Sequence, residues 1–264
     1  MSNSAHFDIS VIIPARNEAA LIGRTLDAVL GSVADLHRLD PATISLPQTN
    51  VEVFVIDDAS SDQTREIVYR YTERHGVRLL VCKHSKAASA RNIGTRVTSG
   101  RLLVFVDADT LIAPHTLRAI KQHCDVRGRQ AGITRLVSLE GGLRAWAWWT
   151  FWEHVRRLPM PRAKAMPALM FCTRTAFEQF GPFDEAVRIG EEWPILAGVY
   201  QKHPHLFIYD RTLPAQTSSR RMELQPWGYA RTLLKYVWAI LHMSGRIEYT
   251  DRLRHSSYRG KETM

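Results

Sequence analysis

The sequence lacks the features that define disulfide-rich, zinc-ribbon and membrane-spanning proteins. Its three cysteines, Cys82, Cys124 and Cys172, lie far apart and form no C-x-x-C pair, so neither a disulfide framework nor a zinc ribbon is expected. No segment approaches the ~18 consecutive apolar residues of a spanning helix. The first residues include neither the basic nor the apolar stretch of a secretory signal. We therefore expect a cytoplasmic protein, either soluble or peripheral at the inner face of the membrane.

The overall composition is that of a globular protein. The chain has 264 residues, of which 45% are hydrophobic and 23% charged, and this balance excludes disorder, collagen and coiled coil. Repeats, low-complexity tracts and interdomain linkers are absent from the sequence. At this length one α/β domain with appendages is as plausible as two domains.

The formal charge of +9 is concentrated in two segments that contain tryptophan. In residues 143–164, five basic residues against Glu153 give +4, and in 219–264, nine basic residues against four acidic ones give +5. The remainder of the chain is neutral. A uniformly basic protein would indicate nucleic acid, whereas this pattern indicates either an anionic membrane surface or two solvated faces.

Alternating strand and helix patterns predict a parallel α/β unit in the first half of the chain. Four apolar runs predict buried strands: Ile9–Pro14, Val51–Asp57, Val77–Cys82 and Leu102–Val106. Helical patterns predict Glu18–Leu36, Asp62–His75 with Ser60 and Ser61 capping its first turn, Ala87–Thr98, and Pro114–Cys124. Ligands of such sheets bind beyond the carboxyl ends of the strands.

The second half has a looser pattern. We predict a tryptophan-rich segment at 143–158, strands at Ala168–Thr173 and His205–Tyr209, a loop over 214–222 and a helix over 226–243. The aromatic side chains of Trp146, Trp148, Trp149, Phe151 and Trp152 permit two interpretations. They form either a helix that lies in a membrane interface or the buried wall of an acceptor pocket.

Acidic residues follow three of the predicted strands. Glu18 follows the first strand, Asp57 and Asp58 end the second, and Asp107 and Asp109 follow the fourth. Carboxylates that converge at one edge of a sheet repel each other and need a compensating cation. Magnesium binds one or two carboxylates together with substrate phosphates. One D-x-D alone would be read as a helix cap, but the three acidic strand ends together favour a metal and phosphate site.

Three motifs carry a resemblance to a known family. The segments VIIPARNEAALIGRTL, VFVIDDASSDQT and KAASARNIGTRVTSGRLLVFVDADT, within residues 8–115, resemble the family-two inverting glycosyltransferases with the GT-A fold. The resemblance implies a mostly parallel central sheet flanked by helices, with a Rossmann-like nucleotide-binding half and an acceptor-side C-terminal portion. It divides a single GT-A domain, 1–264, into a nucleotide-sugar-binding half (8–125), an acceptor and catalytic half (126–225) and a helical basic tail (226–264).

The resemblance also implies a donor site and a cofactor. Transfer would proceed from a nucleotide-diphosphate sugar, a UDP-sugar first and a GDP-sugar second, with Mg²⁺ or Mn²⁺ as the cofactor. Asp109 corresponds to the metal ligand, and Asp107 to the acid that faces the ribose or the metal. The remaining donor contacts implied are Pro14, Ala15 and Glu18 around base and ribose, Asp58 on the base with Asp57 supporting the turn, and Arg91 and Lys86 near base and phosphates. The alternative for Arg91 and Lys86 is a solvated helix face.

The family's later Gly-Glu-Asp motif corresponds here to Gly190-Glu191-Glu192. Inverting transfer needs a carboxylate that takes the proton from the attacking hydroxyl, and the resemblance gives this role to Glu192, with Glu191 as the rival. Both acids could instead open a helix near Pro194, where negative charge is favourable. Arg220 and Arg221 are candidates for closing over the phosphates.

The predicted acceptor is a hydroxyl group, lipid-linked or membrane-proximal, and no nucleic-acid partner is expected. Two other classes of protein fit the sequence less well. A sugar-phosphate nucleotidyltransferase would have a glycine-rich loop after the first strand, and IPARNEA has no glycine. A basic nucleic-acid-binding module would need cations and aromatics on an exposed sheet or helix, whereas the strand ends here are acidic.

Overall fold

The computed structural model describes residues 7–38, 49–83, 86–164, 167–187 and 189–242. Its strands are β1 (Ile9–Ala15), β2 (Val51–Asp58), β3 (Arg78–Cys82), β4 (Leu102–Val106), β5 (Thr110–Leu111), β6 (Ala131–Ser138), β7 (Leu169–Thr173) and β8 (Phe207–Thr217). Its α-helices are α1 (Ile22–His37), α2 (Thr64–His75), α3 (Ala87–Val97), α4 (Thr116–Asp125), α5 (Leu143–Arg157), α6 (Arg174–Phe180), α7 (Trp193–Lys202), α8 (Arg220–Glu223) and α9 (Gly228–His242). Residues 243–264 of the predicted basic tail lie outside the described residues.

One mixed sheet runs through the molecule in the order β3-β2-β1-β4-β7-β6-β8-β5. Strands β3, β2, β1 and β4 are parallel, as the four apolar runs predict. Val11 of β1 pairs with Val53 on one side and Val104 on the other, and helices cover both faces. The carboxyl ends of β1, β2 and β4 therefore meet at one edge.

The second half of the chain extends the same sheet. Strand β7 is antiparallel to both β4 and β6, and β8 runs parallel to β6 with an irregularity between Thr134 and Arg135. Strand β6 was not predicted, because its glycine and polar residues interrupt the apolar pattern. The predicted loop over 214–222 was wrong, because β8 continues to Thr217 and pairs with β5, and α8 follows at Arg220.

Two helices begin later than the sequence pattern indicates. The chain turns at Asn17, whose φ is +53°, and the Glu18 carbonyl accepts from the amides of Leu21 and Ile22, so α1 starts at Ile22. The predicted cap of α2 by Ser60 and Ser61 is wrong. The helix starts at Thr64, whose amide donates to Asp62 Oδ1 over 3.0 Å, while the Ser60 hydroxyl accepts from the amide of Asn17.

Helices α5 and α9 lie against each other through aromatic side chains. Trp148 and Trp152 are buried, and their rings lie 6.0 Å and 5.3 Å from the ring of Tyr236. Trp146 and Phe151 are exposed. Trp148 and Trp152 therefore form a buried aromatic contact between α5 and α9, and Trp146 and Phe151 face outward. The acceptor pocket and the membrane interface both stay predictions. In the described residues, no helix has the length and apolar character required to cross a bilayer.

Candidate active site

The turn after β2 is fixed by Asp57. Its Oδ2 accepts from the amide of Ser60 over 3.2 Å and from Arg65 Nε over 2.6 Å, and the side chain is fully buried. The neighbouring Asp58 is also buried, with Arg16 Nη1 3.8 Å from its Oδ2. These contacts agree with the support of the turn by Asp57 that the resemblance implies. Asp58 is the last residue of β2.

The loop after β1 is held against the start of α2. The amide of Glu18 donates to Thr64 Oγ1 over 2.8 Å, and the amide of Ala19 donates to Asp62 Oδ2 over 3.0 Å. Pro14 and Ala15 pair with Ile56 and Asp57 across the sheet. The end of β1 and the end of β2 are therefore held together as one surface.

Arg91 joins the two halves of the candidate site. It is buried on α3, with Nη2 2.6 Å from Asp107 Oδ1 and Nη1 2.7 Å from Glu191 Oε1. Burial lowers the pKa of this guanidinium, but the carboxylates of Asp107, Glu191 and Glu192 outweigh it and raise the pKa above the ordinary value. Arg91 is therefore a permanent cation between the end of β4 and the segment before α7, and the solvated-face alternative is wrong for it.

Asn92, the next residue on α3, holds the segment Gly181–Asp184 in place. Its Nδ2 donates to the Phe183 carbonyl over 3.0 Å and to Glu185 Oε1 over 2.8 Å, and its Oδ1 accepts from the amide of Phe183 over 2.9 Å. The amide of Asp184 in turn donates to the Glu191 carbonyl. Asn92 was not among the predicted site residues, although it follows Arg91 in the third sequence motif.

The short pairing of β5 with β8 brings α8 to the end of β4. Thr110 Oγ1 donates to Thr217 Oγ1 over 3.0 Å, and the amide of Ser218 donates to the Asp109 carbonyl over 3.1 Å. The guanidinium groups of Arg220 and Arg221 both bind the buried carboxylate of Glu18. Glu18, Asp109 and the two arginines thus form one cluster, although about 200 residues separate Glu18 from the arginines.

Asp109 has the chemistry of a metal ligand. Burial and the nearby carboxylates of Asp107 and Glu18 raise its pKa to about 7, against the partial compensation of Arg221 and Arg220. In the part of the chain that the structure describes, no group of three or more His, Cys, Asp or Glu side chains is placed to hold a metal. Asp107 and Asp109 are a pair of hard oxygen donors, which is the protein share that magnesium takes when substrate phosphates supply the rest. The donor set therefore fits a divalent cation.

Glu192 lies at the N-cap position of α7 with a buried side chain. The alternative that the two acids open this helix is therefore compatible with the structure. Arg156 of α5 and Tyr236 of α9 are close enough for electrostatic interaction with Glu192. Sequence reasoning missed both, since each sits in an aromatic helix with no motif of its own.

One predicted site residue lies apart from the carboxylates. Lys86 is exposed at the N-terminus of α3, and its Nζ donates to the Glu185 carbonyl over 2.9 Å. The structure brings six other charged candidate side chains together around Arg91 and Glu18: Asp107, Asp109, Glu191, Glu192, Arg220 and Arg221.

A family model described as glycosyl transferase family 2 matches residues 10–185. The chain belongs to this family. Succinoglycan biosynthesis protein ExoO of Rhizobium meliloti (strain 1021) is 28% identical over 209 residues, which are 72% of this chain and 55% of that protein. The chain thus spans about half the length of that relative.

Two solved structures of glycosyltransferases are similar in fold to this family 2 member. The mannosyltransferase PcManGT of Pyrobaculum calidifontis, solved with GDP-Man and Mn²⁺, has a TM-score of 0.57 at 22% identity over 92% of this chain and 70% of that chain. Glucosyl-3-phosphoglycerate synthase of Mycobacterium tuberculosis, solved with Mn²⁺, UDP and phosphoglyceric acid, has a TM-score of 0.56 at 19% identity over 87% and 78%. This member of family 2 therefore has the GT-A fold.

Proposed function

We propose that this glycosyltransferase moves a sugar, with inversion, from a nucleotide-diphosphate sugar to a hydroxyl acceptor. The observation that carries the proposal is the position of Arg91, which binds Asp107 at the end of β4 and Glu191 before α7. This contact holds the carboxylates of Asp107 and Glu191 about one guanidinium apart, which supports a site with a donor-side and an acceptor-side acid. A site in which a metal-binding pair of acids lies near a further carboxylate is suited to group transfer.

The donor is held, in this proposal, by the strand ends of the first half. Pro14, Ala15, Glu18 and Asp58 border the base and ribose. Asp107 and Asp109 hold Mg²⁺ or Mn²⁺, which when bound neutralises charge on the leaving diphosphate. Arg220 and Arg221 face the same region from α8 and exchange part of their contact with Glu18 for contact with the phosphates. A UDP-sugar is the first candidate and a GDP-sugar the second, and Lys86 is a peripheral contact only.

Glu192 is the proposed base. Glu191 is held by Arg91 in an ion pair of 2.7 Å, so its carboxylate is engaged in positioning. Glu192 has a buried carboxylate at the start of the next helix, where it would accept the proton of the attacking hydroxyl. The acceptor is proposed to be membrane-borne, which would put the protein at the inner face of the membrane.

The test is nucleotide release from a panel of UDP- and GDP-sugars with and without manganese. Metal-dependent release from one of them is expected, and NMR of the product should show the anomeric configuration opposite to that of the donor. No release from any donor, with hydroxyl acceptors present, would contradict the proposed activity. A product that retains configuration would leave the transfer standing and remove the inverting mechanism.

A further inference from the structure

Large apolar side chains are exposed on α5, on α9 and on the segment that joins α8 to α9. We call this set the aromatic face; its members are Leu143 and Phe151 of α5, Leu224 and Trp227 beside α8, and Leu234, Val237 and Trp238 of α9. Trp227 is 83% exposed and Trp238 64% exposed. A globular protein rarely leaves so many large apolar side chains together in water unless the surface binds something.

Trp227 has a strained backbone as well as an exposed ring. Its φ of +57° lies in the left-handed region, where a bulky residue is an outlier. Its indole forms one wall of a cavity of about 560 Å³ whose other sides include Arg144, Trp148, Met222 and Tyr229. Backbone strain of this kind is found at binding and catalytic sites. The strained position of Trp227 therefore supports a binding role for the exposed ring.

Cations border the aromatic face. Arg144, Arg231 and Lys235 are exposed, and within the described residues none of them forms an ion pair. Glu223 is the acidic residue on the exposed part of α8 and α9. The exposed apolar and cationic side chains are together complementary to a partner with an apolar interior and an anionic surface.

We propose that the aromatic face docks onto an anionic lipid bilayer, with Trp227 and Trp238 in the headgroup layer. Tryptophan favours this layer, and arginine and lysine favour the anionic phosphates beside it. Trp148 is the floor of the cavity, and its ring also contacts Tyr236, which is close to Glu192. The cavity opens beside Trp227, and two aromatic side chains, Trp148 and Tyr236, separate it from the proposed base. Docking does not depend on the transfer reaction; together with the proposed function it identifies the acceptor as membrane-borne.

The test is sedimentation of the full chain with vesicles. Vesicles of phosphatidylcholine alone are compared with vesicles in which a third of the lipid is phosphatidylglycerol, each at low and high salt. Binding to the anionic vesicles at low salt is expected, with weaker binding as salt rises. Binding to neither composition at low salt would overturn the proposal.

Two pairs of variants separate the aromatic face from the rest of the surface. The double variant Trp227→Ser/Trp238→Ser should lower partitioning about tenfold or more, while Tyr69→Ser, which removes an exposed aromatic of α2, should leave it unchanged. The double variant Arg231→Glu/Lys235→Glu should lower it about tenfold or more, while Arg70→Glu/Arg74→Glu on α2 has the same change of charge on another helix and should lower it far less. Equal losses in test and control variants would contradict a specific face.

Two further measurements distinguish other occupants and keep the two proposals apart. Light scattering without lipid should show that Trp227→Ser/Trp238→Ser has the mass of the parent chain; a parent dimer that the variant converts to a monomer, without vesicle binding, would assign the face to a second copy and overturn docking. Titration of UDP and GDP with manganese should be unchanged in all four double and single variants. Loss of vesicle binding with intact nucleotide binding therefore tests docking alone and leaves the proposed function standing.

Discussion

The carboxylate of Asp109 is destabilising in the protein without metal. Its raised pKa means that burial beside Asp107 and Glu18 disfavours the charged form. We expect Asp109→Asn to raise the melting temperature of the metal-free protein at pH 8 by roughly 2 °C or more and to abolish manganese-dependent binding of UDP or GDP. Asp125→Asn is the matched control, because hydrogen bonds from Arg101 lower the pKa of Asp125, so this change should lower the melting temperature. Calorimetry of both variants decides, and intact metal-dependent binding in Asp109→Asn would remove this residue from the site.

The same residue gives the site a pH dependence. Since the folded-state pKa of Asp109 is about 7, against 3.8 as its ordinary value, the folded protein holds a proton that the unfolded chain releases between these values. The contribution of Asp109 to the stability of the metal-free protein should therefore fall as pH rises from about 4 to about 7. Manganese competes with that proton, so its apparent affinity should fall about tenfold per unit below pH 7 and level off above it. Titrations at pH 5.5, 6.5 and 8 would show this, and a flat profile would contradict it.

Glu191 and Glu192 should differ in the step that they affect. Glu192→Gln keeps the size of the side chain but cannot accept a proton, so we expect a loss of turnover of ~100-fold or more with unchanged donor binding. Glu191→Gln weakens the contact with Arg91 and should disturb donor binding and turnover together. Steady-state kinetics with parallel nucleotide titrations separates the two patterns. A dead Glu191→Gln beside an active Glu192→Gln would move the base by one residue.

At the scale of elements, Asn92 couples α3 to the segment that carries the acceptor-side acids. Its side chain makes three hydrogen bonds with Phe183 and Glu185. Asn92→Ala leaves the buried Phe183 groups without partners and should cost about 1–3 kcal/mol of unfolding free energy, with a fall in turnover larger than the fall in donor affinity. Gln201→Ala, on the exposed side of α7, is the control and should change neither. Donor affinity lost as strongly as turnover would show that Asn92 acts on the donor side instead.

The elements that sequence predicted well are those whose cause is local. The runs of β1, β2 and β4 are mostly apolar because both of their faces are covered, and their ends carry acids of the candidate site. The prediction that β3 is buried was wrong, because it lies at the edge of the sheet with Arg78 and Val81 exposed. Strand β6 and the end of β8 form because they pair with partners far along the chain, and this is invisible in their own composition. For the same reason the burial of Arg91 and the contact of Arg220 and Arg221 with Glu18 could not be predicted, since each depends on approach between distant segments.

At the scale of the whole molecule, the sheet joins the two halves that the sequence divides at residue 125. Strand β7 pairs with β4 of the first half and β6 of the second. Phe171 of β7 is fully buried in a cluster that includes Val11 and Leu213, and a second cluster joins Ile12 to Ile195. Both clusters therefore cross the division between the halves, although the proposed binding roles fall on different halves.

This shared core predicts a single cooperative unfolding transition. In denaturant, the far-UV circular dichroism of the whole chain and the fluorescence of the tryptophans, all of which follow residue 125, should report the same midpoint. Phe171→Ala should shift both signals together by about 3–5 kcal/mol, because the ring touches the packing of both halves. Tyr69→Ser on the surface of α2 should shift neither by more than about 0.5 kcal/mol. A fragment of residues 1–125 should remain unfolded, since β4 loses its pairing with β7; a folded fragment, or two separate midpoints, would show that the nucleotide-binding half is an independent domain.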